Sequence, residues 1–503
     1  MVGRTGVRIA MVALSALVAA GCSAGGTSGT SSGSGTAPLG KPGRPGAPEQ
    51  AEQADPRGPV EYPGGDIDAS EHPVSTFAMD VDTASYGYAQ RTIRDGRQPD
   101  PATVRPEEFV NAFRQDYRDP AGNGFAVQVD GARLPATHPG STGASRLMRI
   151  GLQTRHDDSA SRPDAALTFV VDVSGSMGEP GKLDLVRDAL HTLVEQLRPT
   201  DSVALVAYDD TARTLRPMTS VRDRRALLGA IDELRVGGST NLEAGLTEGY
   251  EVARAGFRSG ASNRVVLLSD GLANVGNTSA EPILARVREY AAKQISLLGV
   301  GVGSDYGDAL MERLADRGDG FVVYVSQPDQ ARRIFVERLP ASLAVRALDA
   351  KVQVTFDPAT VRTYRLIGYD NRALASPDFR DDKVDGGEVG PGQTVTALYA
   401  IELRQDASGR VAQAQVHWLD PGTRESSETS ATVTTADLRS DFGESAPRLR
   451  VSYAAAFFAE YLRRSPYGTG IRLDELAGIA QRAGEDTEVT DLVSTIRKAN
   501  ELH

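Results

Sequence analysis

The stretch that decides the fold is Ala165-Ala166-Leu167-Thr168-Phe169-Val170-Val171-Asp172-Val173-Ser174-Gly175-Ser176. Its first seven residues form a largely apolar run, which is typical of a buried strand. One carboxylate and two hydroxyls, on Asp172, Ser174 and Ser176, follow where that strand ends. All three are hard oxygen donors, the ligand type that a divalent cation such as Mg²⁺ prefers. The stretch therefore predicts a cation site at the end of a strand.

Strands and helices alternate around this stretch, between residues 160 and 343. The predicted strands are Leu167–Val171, Val203–Tyr208, Val265–Leu268, Ile295–Val300 and Phe321–Val325. The predicted helices are Leu183–Leu197, Arg224–Leu234, Leu242–Ala255, Glu281–Ala292, Asp308–Ala315 and Gln330–Leu339. Such alternation indicates a mostly parallel sheet with helices on both faces, an α/β fold of the Rossmann-like, doubly wound type.

The flanking segments have a different pattern. Residues 61–155 are predicted to form an N-terminal domain, and residues 344–440 a β-rich, sandwich-like domain that contains Trp418 in its core. Residues 446–503 have the apolar spacing of helices and form a C-terminal helical segment. We also consider that the β-rich stretches 125–153 and 345–437 pair into one sandwich, with the central domain inserted between them.

The N-terminus has the pattern of a targeting segment. Arg4 and Arg8 precede a short apolar run, and small residues then lead to Cys22, the only cysteine of the chain. Residues 1–22 therefore predict a lipoprotein signal peptide that ends at a lipidated Cys22, the alternative being an ordinary signal peptide with an incidental cysteine. Residues 23–60 are rich in Gly, Ser, Thr and Pro and predict a disordered linker. We expect an extracytoplasmic protein, lipid-anchored to the cell membrane.

Composition narrows the classes of partner. The chain has 503 residues, of which 40% are hydrophobic and 24% charged, and its formal net charge is −12. An acidic chain argues against nucleic acid as a partner, because phosphate binding needs a positive surface. A single cysteine allows no internal disulfide, so the exported fold must be stabilised by its core.

Two further segments are expected to join the first cation ligands. Gly237-Gly238-Ser239-Thr240-Asn241 is a flexible loop that enters a helix, and Thr240 offers a hydroxyl. Ser269-Asp270-Gly271 follows a predicted strand and offers a second carboxylate. In a parallel sheet all three segments lie at the same edge. With few carboxylates and several hydroxyls, the ion would complete its coordination with an acidic group from a partner.

These residues resemble the metal-ion-dependent adhesion site of von Willebrand factor type A domains, Asp-x-Ser-x-Ser with a later Thr and Asp. The resemblance implies that Ser174, Ser176 and Thr240 are hydroxyl ligands of Mg²⁺ or Mn²⁺. It also implies that Asp172 and Asp270 hold the ion directly or through water.

Segments outside the central domain resemble a bacterial subfamily, the YfbK-type von Willebrand factor A lipoproteins. They include Ser75-Thr76-Phe77, Val104 to Glu108, Tyr364 to Arg372 and Val395 to Tyr399, and the resemblance covers roughly residues 65 to 500. The resemblance implies a binding function but does not identify the ligand.

Enzyme signatures are weak. Gly181-Lys182 resembles part of a nucleotide loop, but the first Gly and the Ser or Thr after Lys are missing. Gly299-Val300-Gly301-Val302-Gly303 lacks dinucleotide spacing and is interpreted as a tight turn after a strand. His191 is a conceivable general base near Ser176, but its position within a predicted helix places it too far along the helix axis. We therefore expect neither a nucleotide site nor an enzyme.

The favoured interpretation is a membrane-anchored binding protein whose cation contacts an Asp or Glu of a protein partner. One alternative is a cell-envelope scaffold or regulatory protein with a structural metal site, and a remote one is a metal-assisted hydrolase.

The oxygen-rich cluster Asp80-Val81-Asp82-Thr83-Ala84-Ser85 leaves open whether Asp80 and Asp82 bind a second ion. Turn and helix-cap chemistry is the favoured interpretation of this cluster, because Asp, Thr and Ser often make such local hydrogen bonds.

Overall fold

The structure is a computed structural model that describes residues 65–156, 162–271, 280–303, 345–421 and 423–502. Between 303 and 345 it also describes residues 311, 314, 315, 318, 320, 322–325 and 335. The expected signal peptide, Cys22, the linker and most of the helices Gln330–Leu339 and Asp308–Ala315 lie outside the described residues. Among the described residues, no helix has the length and apolar character needed to cross a membrane.

The central domain is built on a sheet with the strand order β10-β9-β8-β5-β6-β7. All neighbours in this sheet are parallel except β6 and β7, which are antiparallel. The strands are β5 (Ala165–Asp172), β6 (Ser202–Tyr208), β7 (Ala212–Ser220), β8 (Ser262–Ser269), β9 (Ile295–Val302) and β10 (Val322–Val325). The helices are α3 (Leu183–Gln196), α4 (Arg224–Asp232), α5 (Leu242–Ala255) and α6 (Ala280–Ala291).

Every residue of β5 is buried. Alternate side chains of this strand enter two separate cores, because successive residues point to opposite faces of a sheet. Leu167, Phe169 and Val171 pack with α3 and α4 on one face, and Val170 packs with α5 on the other. The doubly wound α/β prediction is therefore confirmed.

Two details of the central sheet differ from the sequence predictions. Strand β7 was missed, because it is a half-exposed edge strand with a polar sequence that contains Pro217. The glycine run Gly299–Gly303 was predicted as a turn, but β9 continues to Val302 and only Gly303 leaves the strand, with φ +87°.

The flanking segments form one β-sandwich. One sheet has the strand order β1-β12-β14-β4-β3, and the other has the order β13-β11-β15-β16, with β2 paired to β11. The strands that precede the central domain are β1 (Ile67–Asp68), β2 (Val74–Ala78), β3 (Phe125–Arg133) and β4 (Ser145–Thr154). Those that follow it are β11 (Ala347–Phe356), β12 (Val361–Ile367), β13 (Gly387–Val389), β14 (Thr394–Leu403), β15 (Arg410–Leu419) and β16 (Ser426–Thr434).

Pairing between β4 and β14 joins the two parts of the chain, in a register that runs from Thr394↔Gln153 to Glu402↔Ser145. The two sheets share a core, in which the Phe125 ring lies 5.2 Å from that of Trp418. The prediction that residues 125–153 and 345–437 form one sandwich around an inserted central domain is confirmed. Trp418 is buried, as expected.

A helical layer covers the outer face of the β4–β14 sheet. It comprises α1 (Ala84–Arg94), α2 (Pro106–Asn111), α7 (Pro447–Leu462), α8 (Leu473–Ala483) and α9 (Thr487–Glu501). Leu147 and Leu398 of the sheet pack into the same core as Phe457 and Phe458 of α7. These aromatic residues of α7 are therefore packing residues of the core. Helix α2 is short and ends at Asn111.

Candidate metal centre

Asp172 is the last residue of β5 and is fully buried. Its Oδ1 accepts a hydrogen bond from the backbone N–H of Ser174 at 2.8 Å, which fixes the loop that carries the two serines. Its Oδ2 accepts from Ser269 Oγ at 2.8 Å and from the hydroxyl of Tyr208 at 3.3 Å. The carboxylate is thus held by residues from three adjacent strand ends.

The surroundings of Asp172 change its proton affinity. Burial raises the pKa of its carboxyl group, and the charge of Asp270 adds to this effect. Hydrogen bonds from Ser174 and Ser269 oppose the rise, because they favour the charged form. A buried carboxylate with a raised pKa gains from a nearby cation, which would compensate the lost hydration.

Ser174, Ser176 and Asp270 form a continuous row of oxygen atoms. Ser174 Oγ lies 3.2 Å from Ser176 Oγ, and Ser176 Oγ donates to Asp270 Oδ1 at 2.9 Å. Neighbouring ligands of an octahedral Mg²⁺ at about 2.1 Å lie about 3 Å apart, so these three oxygens fit one such ion. Ser176 is exposed whereas Ser174 and Asp270 are buried, which opens this row to the surface.

The loop with Thr240 lies directly beside this row. Gly175 N–H donates to the carbonyl of Gly238 at 3.0 Å, and Gly237 N–H donates to the carbonyl of Val173 at 2.7 Å. Thr240 itself is 5% exposed. Asn241 then caps α5 by accepting from Ala244 N–H at 3.1 Å. The predicted loop entering a helix is present, and its backbone is joined to the Asp172–Ser176 loop.

Lys182 is a part of this site that the sequence predictions missed. Its side chain is 3% exposed, and its Nζ donates to Asp270 Oδ2 at 2.8 Å and lies 3.0 Å from Glu179 Oε2. Burial alone would lower the pKa of Lys182, but the hydrogen bonds to Asp270 and Glu179 raise it. One carboxylate oxygen of Asp270 therefore accepts a hydrogen bond from Ser176, and the other accepts one from Lys182.

Tyr208 and Ser269 were also not predicted as site residues. Tyr208 ends β6 directly beside Asp172, its partner in the parallel register, and Ser269 ends β8. The rule that ligands bind at the carboxyl ends of parallel strands could have indicated both residues. No comparable local signal points to Lys182, because its partner Asp270 is 88 positions away.

Asp80 and Asp82 are engaged by the protein itself. Asp80 Oδ1 accepts from the N–H of Asp82 at 2.8 Å, which is a local turn, and Arg372 Nε donates to Asp80 Oδ2 at 3.2 Å. Asp82 Oδ1 accepts from Val322 N–H at 2.9 Å. The interpretation as turn chemistry is supported, whereas Thr83 makes no side-chain cap to α1.

A separate acidic group lies in the sandwich. Carboxylate oxygens of Asp349, Asp385 and Glu388 lie within 4.8 Å of one another. Burial lowers the pKa of Lys351, and the charges of Asp349, Asp385 and two further aspartates partly restore it. We assign no ion to this group.

His191, the conceivable general base, lies on α3 with its Nε2 3.0 Å from Asp232 Oδ1 of α4. Its hydrogen-bond partner is therefore a residue of the neighbouring helix. The described hydrogen bonds of the Ser176 hydroxyl are with Ser174 and Asp270.

Comparison with known proteins identifies the family. The chain is 31% identical over 448 residues to the protein YfbK of Escherichia coli K12, a match that covers 83% of this chain and 76% of that protein. The chain belongs to the YfbK family. Within this YfbK-family chain, the model of the von Willebrand factor type A domain matches residues 166–337. The model described as "Uncharacterized protein YfbK, C-terminal" matches residues 341–415, and that described as "von Willebrand factor" matches residues 64–140.

Other relatives are less similar in sequence. The human inter-alpha-trypsin inhibitor heavy chain H4 is 29% identical over 160 residues, which are 30% of this chain and 17% of that protein. Among solved structures, a von Willebrand factor type A protein from Catenulispora acidiphila aligns with a TM-score of 0.44 and 17% identity, over 77% of this chain and 89% of that chain.

Proposed function

We propose that the central domain binds Mg²⁺ or Mn²⁺ through Asp172, Ser174, Ser176, Thr240 and Asp270, and binds an acidic group of a protein partner through that ion. The observation that carries this proposal is the row of oxygens from Ser174 through Ser176 to Asp270, with spacings of 3.2 and 2.9 Å. A bound ion would supply Lewis acidity and open coordination positions.

The charge and exposure of these residues favour an acidic ligand. The hydroxyls of Ser174, Ser176 and Thr240 are neutral, and Lys182 offsets the charge of Asp270, so a bound divalent ion would keep a net positive charge. Ser176 and Gly175 are both exposed, so a partner's carboxylate has access to this edge of the sheet. The von Willebrand factor type A domain, a module associated with protein–protein interaction and adhesion, agrees with this function.

We further propose that the protein acts outside the cytoplasm and is held at the membrane by a lipid on Cys22. Residues 23–60 would then separate the folded part from the bilayer surface, since a flexible chain of this length spans roughly 35 Å on average.

We propose binding without catalytic turnover.

Titration of the whole chain with Mn²⁺, followed by calorimetry or by electron paramagnetic resonance of the free ion, tests the site. We expect wild type to bind one ion. Ser176→Ala should bind it at least several-fold more weakly, and Asp172→Asn should not bind it measurably. Asp188→Asn, at an exposed position on α3, removes the same charge and should bind like wild type. Equal affinity in Asp172→Asn and wild type would refute the site assignment.

A second experiment tests the partner. Immobilised whole chain is incubated with envelope extract in Mg²⁺ and eluted with EDTA. We expect a protein that is retained by wild type and by Asp188→Asn, and that is lost with Asp172→Asn. Retention that does not depend on Mg²⁺ or on Asp172 would contradict recognition through the ion.

A further inference from the structure

Lys182 is built into the candidate metal centre as a buried cation. It precedes α3 directly, and its side chain is 3% exposed. Its Nζ makes a 2.8 Å hydrogen bond to Asp270 Oδ2, while Asp270 Oδ1 accepts from Ser176 Oγ at 2.9 Å. The two oxygens of one carboxylate therefore face two different groups, a lysine and a proposed ion ligand.

Gly303 provides the space that this lysine needs. It follows β9 with φ +87°, and a Cβ atom added to it would lie 2.7 Å from Cε of Lys182. The N–H of Gly303 donates to the carbonyl of Val325 at 3.1 Å, which fixes the glycine at the end of β9. The glycine run and the Gly181-Lys182 pair, which match no nucleotide motif, thus meet at the side chain of Lys182.

We propose that Lys182 is a permanent internal cation of this site, which occupies one oxygen of Asp270 and thereby limits the affinity for divalent ions. This inference rests on the proposed function, because it concerns the same ion. It identifies Lys182 as a positioning residue that sets the charge of the site and holds Asp270 Oδ1 toward Ser176.

The charges at the site give the direction of the effect. The buried groups Asp172, Asp270 and Lys182 sum to −1 − 1 + 1 = −1, so a divalent ion brings them to +1. Without the lysine the same groups sum to −2, and the loaded site is neutral. Glu179 also pairs with Lys182, but its side chain is 61% exposed and its charge is screened by solvent. Lys182 therefore weakens cation binding and leaves positive charge for an acidic partner.

The test compares Mn²⁺ affinity in variants of the whole chain, with Mn²⁺ alone as the probe. Lys182→Met keeps the aliphatic stem over Gly303 and removes the charge, and Lys182→Arg keeps the charge. The matched control is Lys293→Met, which removes an equal charge from a half-exposed lysine before β9, at the opposite edge of the sheet. If Lys182→Met does not fold, as judged by circular dichroism, Lys182→Gln replaces it.

We expect Lys182→Met to bind Mn²⁺ about tenfold more tightly or better, since one charge at about 4–6 Å shifts proton binding by a similar or larger factor. Lys182→Arg and Lys293→Met should stay within about threefold of wild type. Equal or weaker Mn²⁺ binding by a folded Lys182→Met, or by Lys182→Gln in its place, would overturn this inference while leaving the proposed function intact. Absence of Mn²⁺ binding by wild type would instead overturn the proposed function.

Discussion

The backbone N–H of Val322 donates a 2.9 Å hydrogen bond to Oδ1 of Asp82. This bond links the segment before α1 to the first residue of β10, and so joins the chain that precedes the central domain to its sheet. Asp82 is 3% exposed, and its Oδ2 lies 3.9 Å from Arg372 of the sandwich. One buried carboxylate thus connects the two main parts of the fold, at the end of the sheet opposite to the metal centre.

We predict that Asp82→Ala lowers the free energy of unfolding by about 1–3 kcal/mol, because a buried N–H loses its acceptor and Arg372 loses a nearby charge. Urea denaturation measures this loss. Asp95→Ala, which removes an exposed carboxylate paired with Arg91 at the end of α1, is the control and should cost less than about 1 kcal/mol. Equal losses in the two variants would contradict a special role for Asp82.

The buried Glu107 should make the free energy of unfolding depend on pH. It lies in the first turn of α2 and is 2% exposed, and backbone N–H groups of Glu107 itself and of Tyr369 compensate its burial only in part. Burial, together with the charge of Asp80, raises the pKa of Glu107 to about 7. Between its ordinary pKa and 7 the folded protein therefore binds a proton that the unfolded chain has released.

Stability should consequently be highest below about pH 4.5 as far as this group is concerned, and should fall as the pH rises toward 7. The loss from this one group is at most about 3 kcal/mol. We predict that Glu107→Gln removes this dependence and is more stable than wild type at pH 8, as measured by urea denaturation at several pH values. Glu71→Gln, at an exposed position, should retain the wild-type pH profile. A wild-type profile in Glu107→Gln would show that Glu107 is not the responsible group.

Gly303→Ala tests the packing around Lys182. The new methyl group would displace the Lys182 stem from its position 2.7 Å away and so weaken its bond to Asp270. We predict tighter Mn²⁺ binding, as in Lys182→Met, and a loss of stability larger than the backbone effect alone. Gly260→Ala isolates that backbone effect, because Gly260 has φ +75° with no atom within 4 Å of its added Cβ, and about 1–2 kcal/mol is expected there. Mn²⁺ affinity equal in the two variants would exclude displacement of Lys182.

The parts of the fold that sequence predicted are those with local signals. The buried strand β5 and the oxygens after it share one short stretch, so the position of Asp172 at a strand end could be derived directly. Strand β7 has no such signal, since its sequence ARTLRPMTS is polar and its pairing depends on β6. Glu107 carries an acidic side chain in a first helical turn, a common exposed position, and only the sandwich packed against α2 makes it buried.

The residues of the candidate site also divide into those with a local sequence signal and those without one. Ser174, Ser176 and Asp270 were predicted from strand ends, and the structure brings them into hydrogen-bonding distance. Lys182 could not be predicted as their neighbour, because a lysine before a helix usually points into solvent. Its burial depends on Gly303, which lies 121 positions further along the chain, and on Asp270. Contacts of this kind depend on tertiary structure.

Cys22→Ser tests the proposed membrane attachment. Because Cys22 is the only cysteine of the chain, incorporation of labelled fatty acid during expression in a bacterial host reports on this residue alone. We predict that wild type is labelled and sediments with membranes, and that Cys22→Ser is unlabelled and soluble after fractionation. Ser28→Ala, in the same linker, should behave like wild type. Membrane association that persists in Cys22→Ser would contradict the lipid anchor.

Removal of divalent cations distinguishes recognition from a structural metal site. The core of the central sheet is formed by apolar residues such as Phe169, Leu190 and Val266, which need no ion. A ligand at one hundred times its Kd adds about 2.7 kcal/mol to the free energy of unfolding, so EDTA should lower Tm by only a few degrees. Calorimetry of wild type in Mg²⁺ and in EDTA measures this shift, and Asp172→Asn should show none. Under the proposed function partner binding depends on the ion and folding does not, so EDTA should abolish the partner complex while the far-ultraviolet circular dichroism stays native. Cooperative unfolding in EDTA at room temperature would instead favour a structural metal.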